Sequence, residues 1–91
     1  MEPRRKPVAH DRTRSLDQPL PNIGELIEYG QITLGMMRPV GCVAVAHDGH
    51  KTQSMLVRRE RETLAELLTR LDLAIDKARN EGIRTDEVNK Q

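Results

Sequence analysis

Two histidines flank an aspartate and a glycine in His47-Asp48-Gly49-His50, where metal-ligating residue types crowd together. A zinc site takes three or four protein ligands within tetrahedral reach. Here the Asp-Gly pair is accounted for by a tight turn, the histidines face each other across it, and Cys42 lies several residues back. No metal is expected. Cys42, the single thiol, sits among Val and Ala. A reactive thiolate needs a neighbouring cation or a helix N-terminus, so Cys42 reads as a small core residue. Asp72 and Asp76 stand one helical turn apart, but carboxylates on a helix face are ordinarily solvated. The chain holds no Gly-x-Gly-x-x-Gly, no Walker lysine loop, no His-Glu-x-x-His and no Gly-x-Ser-x-Gly. No catalytic residue or cofactor site is predicted, and the chain is expected not to be an enzyme.

Basic residues offer a different chemistry. Arg4, Arg5 and Lys6, with Arg12 and Arg14, make the N-terminal stretch mildly basic, and Arg58, Arg59 and Arg61 form a second cluster. Such side chains bind phosphates by releasing condensed counterions. Against this, Glu60, Glu62 and Glu66 dilute the second cluster, and the net charge is only +1. Stacking on single strands needs aromatic side chains, and Tyr29 is the only one. A nucleic-acid-binding regulator using Arg4, Arg5, Lys6, Arg58, Arg59 and Arg61 is therefore the alternative expectation rather than the first.

The elements that hold these residues follow from composition and pattern. Ninety-one residues make one domain. Hydrophobic residues are 36% and charged residues 32%, which leaves a thin core relative to an ordinary globular chain. With no Phe and no Trp, the core must be Leu, Ile, Val, Met and Ala. A core of this size supplies of order 3–5 kcal/mol and needs a staple, a metal or a second subunit. One cysteine excludes an internal disulfide, so a homodimer is expected. No apolar run spans a bilayer, and no hydrophobic stretch follows the first charges as a secretory signal would require. A cytoplasmic chain is expected.

Residues 1–20 carry Pro3, Pro7, Pro19 and many charges, and read as a disordered basic arm. Residues 21–82 read as one α+β domain. Asn22 with Glu25 suggests a capped helix over about 23–29, stopped by Gly30. Residues 31–37 read either as a strand, since Ile32, Leu34 and Met36 alternate, or as a continuation of that helix. Val40 to His47, Asp48-Gly49, and His50 to Val57 form an antiparallel hairpin with a two-residue type I′ loop. That register pairs Val45 with Thr52, Val43 with Ser54 and Cys42 with Met55. A long amphipathic helix runs from 59, or from the Thr63–Glu66 capping box, to about 80. It carries Leu64, Leu67, Leu68, Leu71, Ile75 and Ala78 on one stripe. Gly82 ends it, and 83–91 reads as a frayed polar tail.

The fold class is thus α+β: a small hairpin, or a three-stranded sheet, packed on a long C-terminal helix with a short N-terminal helix. Both hairpin faces read as apolar, which one helix cannot cover. The expected function is a non-enzymatic protein–protein interaction module, such as an adaptor, modulator or assembly subunit. Its contacts would be Val43, Val45, Leu56, Leu67, Leu71 and Leu73. Leu73 points away from the stripe, where a lone leucine is common and a second contact surface is the sharper reading.

Overall fold

The computed structural model describes residues 19–89. Its elements run α1 (Pro21–Leu26), β1 (Gln31–Met37), β2 (Gly41–His47), β3 (Thr52–Val57), α2 (Leu64–Glu81) and β4 (Thr85–Asp86). The strands form one sheet in the order β1-β2-β3-β4. β1, β2 and β3 are antiparallel, and β4 runs parallel to β3. The fold is the expected α+β arrangement, with 31–37 resolved in favour of a strand. α1 ends at Leu26, short of the expected residue 29, and a turn over 27–29 leads to Gly30. A Cβ there would collide with the His47 carbonyl oxygen and approach the Asp48 Cα at 2.9 Å, so only glycine lets the chain turn under the hairpin.

α2 starts at the later of its two possible positions. The Thr63 hydroxyl accepts the Glu66 N–H at 3.0 Å, and Glu66 Oε1 accepts the Thr63 N–H at 2.8 Å. This reciprocal pair satisfies two amides that a helix start otherwise leaves without partners. Gly82 closes the helix in the left-handed conformation, φ 70°. Leu67, Leu71, Ala74 and Ile75 from α2 bury against Ala44 and Ala46 of β2, Leu56 of β3 and Leu26 of α1. Each large aliphatic side chain buried this way contributes about 1.5–3 kcal/mol.

Three local expectations are corrected. The first concerns α1. Asn22 is not its cap: Pro21 opens the helix, and the cap residue Leu20 makes no side-chain bond. The acceptor comes instead from α2, where buried Asp72 takes the N–H groups of Asn22 and Ile23 at 2.8 and 2.9 Å. A carboxylate in the core replaces the local cap because the two helices pack together.

The second correction is the hairpin register. Residues 48–51 all lie in the loop, and the ladder runs Val43↔Val57, Ala44↔Leu56, Val45↔Met55, Ala46↔Ser54, with an irregularity before His47↔Thr52. Asp48 sets this. Its Oδ1 accepts the N–H groups of His50 and Lys51, each at 2.8 Å, and its own N–H donates to the Lys51 carbonyl at 3.1 Å. An aspartate that bonds its own following backbone favours a wider loop over the two-residue turn. A change of register re-sorts the faces: Ala44, Ala46 and Leu56 point to α2 together, while Val43, Val45, Met55 and Val57 share the opposite face.

The third correction is the tail. Thr85 pairs with Ser54 and Asp86 with Met55, and Glu87 Oε1 accepts the Val57 N–H at 2.9 Å. Periodicity could not show this strand, because two residues have no period. The N-terminal arm lies almost wholly outside the described residues.

Candidate interaction surface

The six residues singled out as contacts fall into separate places. Leu56, Leu67 and Leu71 are fully buried in the core. Their own chain already covers them. Val43, only 2% exposed, and half-buried Val45 lie on the sheet face away from α2. Leu73 stands 62% exposed on α2. The hairpin register separates Leu56 from the two valines, since it places Leu56 opposite Ala44.

Exposed apolar side chains are spread over the described residues, with Ile27 and Tyr29 after α1, Leu64 and Leu73 on α2, Ile83 after it, and two on β1. α2 packs on β3 and β2, and α1 packs on α2. Ile32 of β1 reaches the core, but further along the strand Leu34 is 43% and Met36 72% exposed. Both stand opposite core-side residues of β2, Ala44 and Cys42 respectively. They therefore extend the core layer beyond the end of its helical cover. β1 is also the long edge of the sheet, since β4 at the other edge is only two residues. Sequence reasoning did not single out Leu34 and Met36. The signal was present in the Ile32-Leu34-Met36 alternation, but it has meaning only once the segment is a strand.

The arginine cluster after β3 has a largely structural environment. The Arg58 Nε donates to the Glu62 carbonyl at 2.8 Å, and the Arg59 N–H donates to Glu62 Oε1 at 2.9 Å. The Arg70 Nε meets Glu62 Oε2 at 2.6 Å, and its Nη1 meets Glu87 Oε2 at 2.9 Å. Arg70 Nη2 also donates to the Val57 carbonyl at 3.0 Å. Four segments meet in this knot: the end of β3, the 58–63 connection, α2 and the residue after β4. The Arg70 guanidinium, then the Arg59 N–H, hold the Glu62 carboxyl down at about 2, from an ordinary 4.5. Glu62, then Glu87, raise Arg70 above its usual range. Glu66, one helical turn before Arg70, is engaged in the cap, and Arg70 pairs with Glu62 and Glu87 instead.

Arg59 and Arg61 remain exposed beside an open cleft of about 580 Å³ that Glu60, Glu62 and Glu66 also line. Arg70 lines it too but is paired with Glu62 and Glu87, which leaves Arg59 and Arg61 beside the carboxylates of Glu60 and Glu66, and these oppose phosphate binding. Arg4, Arg5 and Lys6 lie outside the described residues.

The other chemical candidates take local roles. His47 Nδ1 accepts the Gly49 N–H at 3.0 Å, and Gln53 Nε2 reaches Asp48 Oδ2 at 2.5 Å. The N–H groups of Lys51 and then His50 hold the Asp48 carboxyl at about 2, below its ordinary 3.8. Half-buried Cys42 sits opposite Met36. Asp72 caps α1, and Asp76 accepts from the Asn80 side chain. Among the described residues no three His, Cys, Asp or Glu side chains come together as a metal site, and no helix is long and apolar enough to cross a membrane.

The described residues form a small α+β fold in which Leu34 and Met36 of the edge strand β1 are exposed. No protein-family model, curated protein or solved structure matches the chain.

Proposed function

We propose that the protein is a non-enzymatic protein–protein interaction module, an adaptor, modulator or assembly subunit that works as a homodimer in the cytoplasm. The observation that carries this reading is the open end of β1, where Leu34 and Met36 continue the core layer past α2 with 43% and 72% of their surface exposed. Apolar surface contiguous with a core and bordered by a strand edge that is unpaired among the described residues is what partner binding uses. Leu73 and Val45 add further apolar surface on α2 and on the opposite sheet face. Regulation through nucleic acid is the alternative, supported by exposed Arg59 and Arg61 and by Arg4, Arg5 and Lys6 of the N-terminal stretch.

One experiment separates the two. Full-length tagged protein is incubated with native lysate in nuclease-treated and untreated halves, each washed at low and high salt. Specific protein partners that persist after nuclease and high salt support the module. Retained nucleic acid, with protein lost on nuclease treatment and retention falling steeply with salt, moves the function to the arginines, since phosphate contacts are salt-sensitive.

A further inference from the structure

Resting on the interaction-module reading, we infer that the partner of β1 is a second copy of this chain. The two β1 strands pair antiparallel about a two-fold axis at Leu34 and make one continuous sheet across both copies. Three observations lead to a copy rather than to a foreign strand.

The first is the absence of protection. An exposed strand edge offers a row of unpaired N–H and C=O groups, and stable monomers blunt it with charge, proline or bulges. β1 is seven residues, Gln-Ile-Thr-Leu-Gly-Met-Met. It contains no charged residue and no proline, and its register with β2 runs unbroken from Gln31 to Met37.

The second is self-complementarity. A two-fold interface needs a patch that matches itself. Leu34 is the midpoint of β1, with Ile32 and Met36 equally spaced on either side of it. The antiparallel pairing sets Leu34 against the partner's Leu34 and Ile32 against the partner's Met36. Thr33 then faces the partner's Gly35, where no side chain competes for space. The core-side row of each copy thereby continues into the other, covering Leu34 and Met36 together.

The third is charge. β1 is preceded by exposed Glu28 and followed by exposed Arg38. Antiparallel self-pairing brings the Arg38 end of each strand to the Glu28 end of the other, so the ends attract on both sides of the axis. Parallel self-pairing would place like charges side by side.

The test is the solution mass of the full chain by light scattering and sedimentation. The wild type is expected at twice the chain mass of 10.4 kDa. Leu34→Lys places two ammonium groups face to face on the axis, and like charges directly opposite across strands repel. It should weaken the dimer at least about tenfold, with circular dichroism and thermal midpoint showing that the monomer stays folded. Ile83→Lys, at a 49% exposed position next to the opposite sheet edge, should leave the dimer intact. Arg38→Glu should weaken the dimer, and adding Glu28→Arg should restore it. A wild type of single-chain mass overturns the inference, as does a dimer that Leu34→Lys leaves unchanged. Single-chain mass with slow amide exchange over residues 31–37 would identify the chain's own residues 1–18 as the cover, and also overturns it. The wider reading fails separately: nuclease-resistant, salt-resistant capture of other proteins by a monomer would keep the module and remove only the self-pairing.

Discussion

Asp72, in the middle of α2, caps α1 from fifty residues away: its Oδ1 takes the Asn22 N–H at 2.8 Å. Its Oδ2 accepts the Asn22 side-chain amide at 3.0 Å. The carboxylate thus satisfies the start of a six-residue helix that has no cap of its own. Arg79, further along α2, adds an ion pair to Glu25 at 2.7 Å. Asp72→Ala should therefore cost about 2 kcal/mol, the upper part of the range for losing a cap. A urea titration checks this, with Arg79→Ala as the comparison: its more exposed pair should cost well under about 1 kcal/mol. Equal losses for the two would contradict the assignment of Asp72 as the principal tie.

Ser54 presents the opposite case. It is completely buried on the core side of β3, and its hydroxyl has no hydrogen-bond partner among the described residues. A buried polar group left unsatisfied costs about 1–3 kcal/mol. Ser54→Ala should raise stability by about 1 kcal/mol, read as a higher urea midpoint with an unchanged slope. A loss of stability would show that the hydroxyl has a partner.

Acid should weaken the fold in a definite window. Glu62 and Asp48 both sit at about 2 in the folded chain, below their ordinary values of 4.5 and 3.8. Depressed carboxyls bind protons more readily in the unfolded state, so their stabilisation is complete above about pH 4.5 and is lost as pH falls toward 2. Glu62→Gln should lower stability at pH 7 by about 2 kcal/mol, the scale of hydrogen bonds to charged groups. Its stability should then fall less steeply than the wild type's between pH 4.5 and 2. Parallel stability–pH curves for the two chains would refute the Glu62 contribution.

Gly30 and Gly82 should respond very differently to a methyl group. At Gly30 the added Cβ meets the His47 carbonyl and the Asp48 backbone, neither of which can yield without moving the hairpin. At Gly82 nothing lies within 4 Å, and only the φ of +70° is unfavourable. Gly82→Ala should cost about 1 kcal/mol. Gly30→Ala should cost about 3 kcal/mol or more. Thermal melts of the two variants settle the order.

The contrast between these residues shows what a one-dimensional pattern carries. The Leu67-Leu71-Ile75 stripe, the Thr63–Glu66 box and Gly82 are local, and each placed its part of α2 correctly. The strand pair around Asp48-Gly49 was legible too, but its register was not. That depends on whether Asp48 bonds forward to His50 and Lys51, and a shift there moves Leu56 from the face of Val43 to the face of Ala44. Asp72, Arg70 and Glu87 act through partners many residues away, so their spacing in sequence has no signature. The open surface was harder still. Leu34 and Met36 are apolar residues like those in the core, and only the length and placement of α2 decide that they stay uncovered.

The most direct test of the edge-strand account is amide deuterium exchange over residues 31–37, compared between the wild type and Leu34→Lys at equal concentration. Edge pairing engages the outward amides of β1, so the wild type should exchange slowly there. The variant should exchange faster over that segment alone, with β2 and β3 unchanged. Identical exchange over 31–37 in the two proteins would contradict the claim that β1 is the surface through which this protein associates.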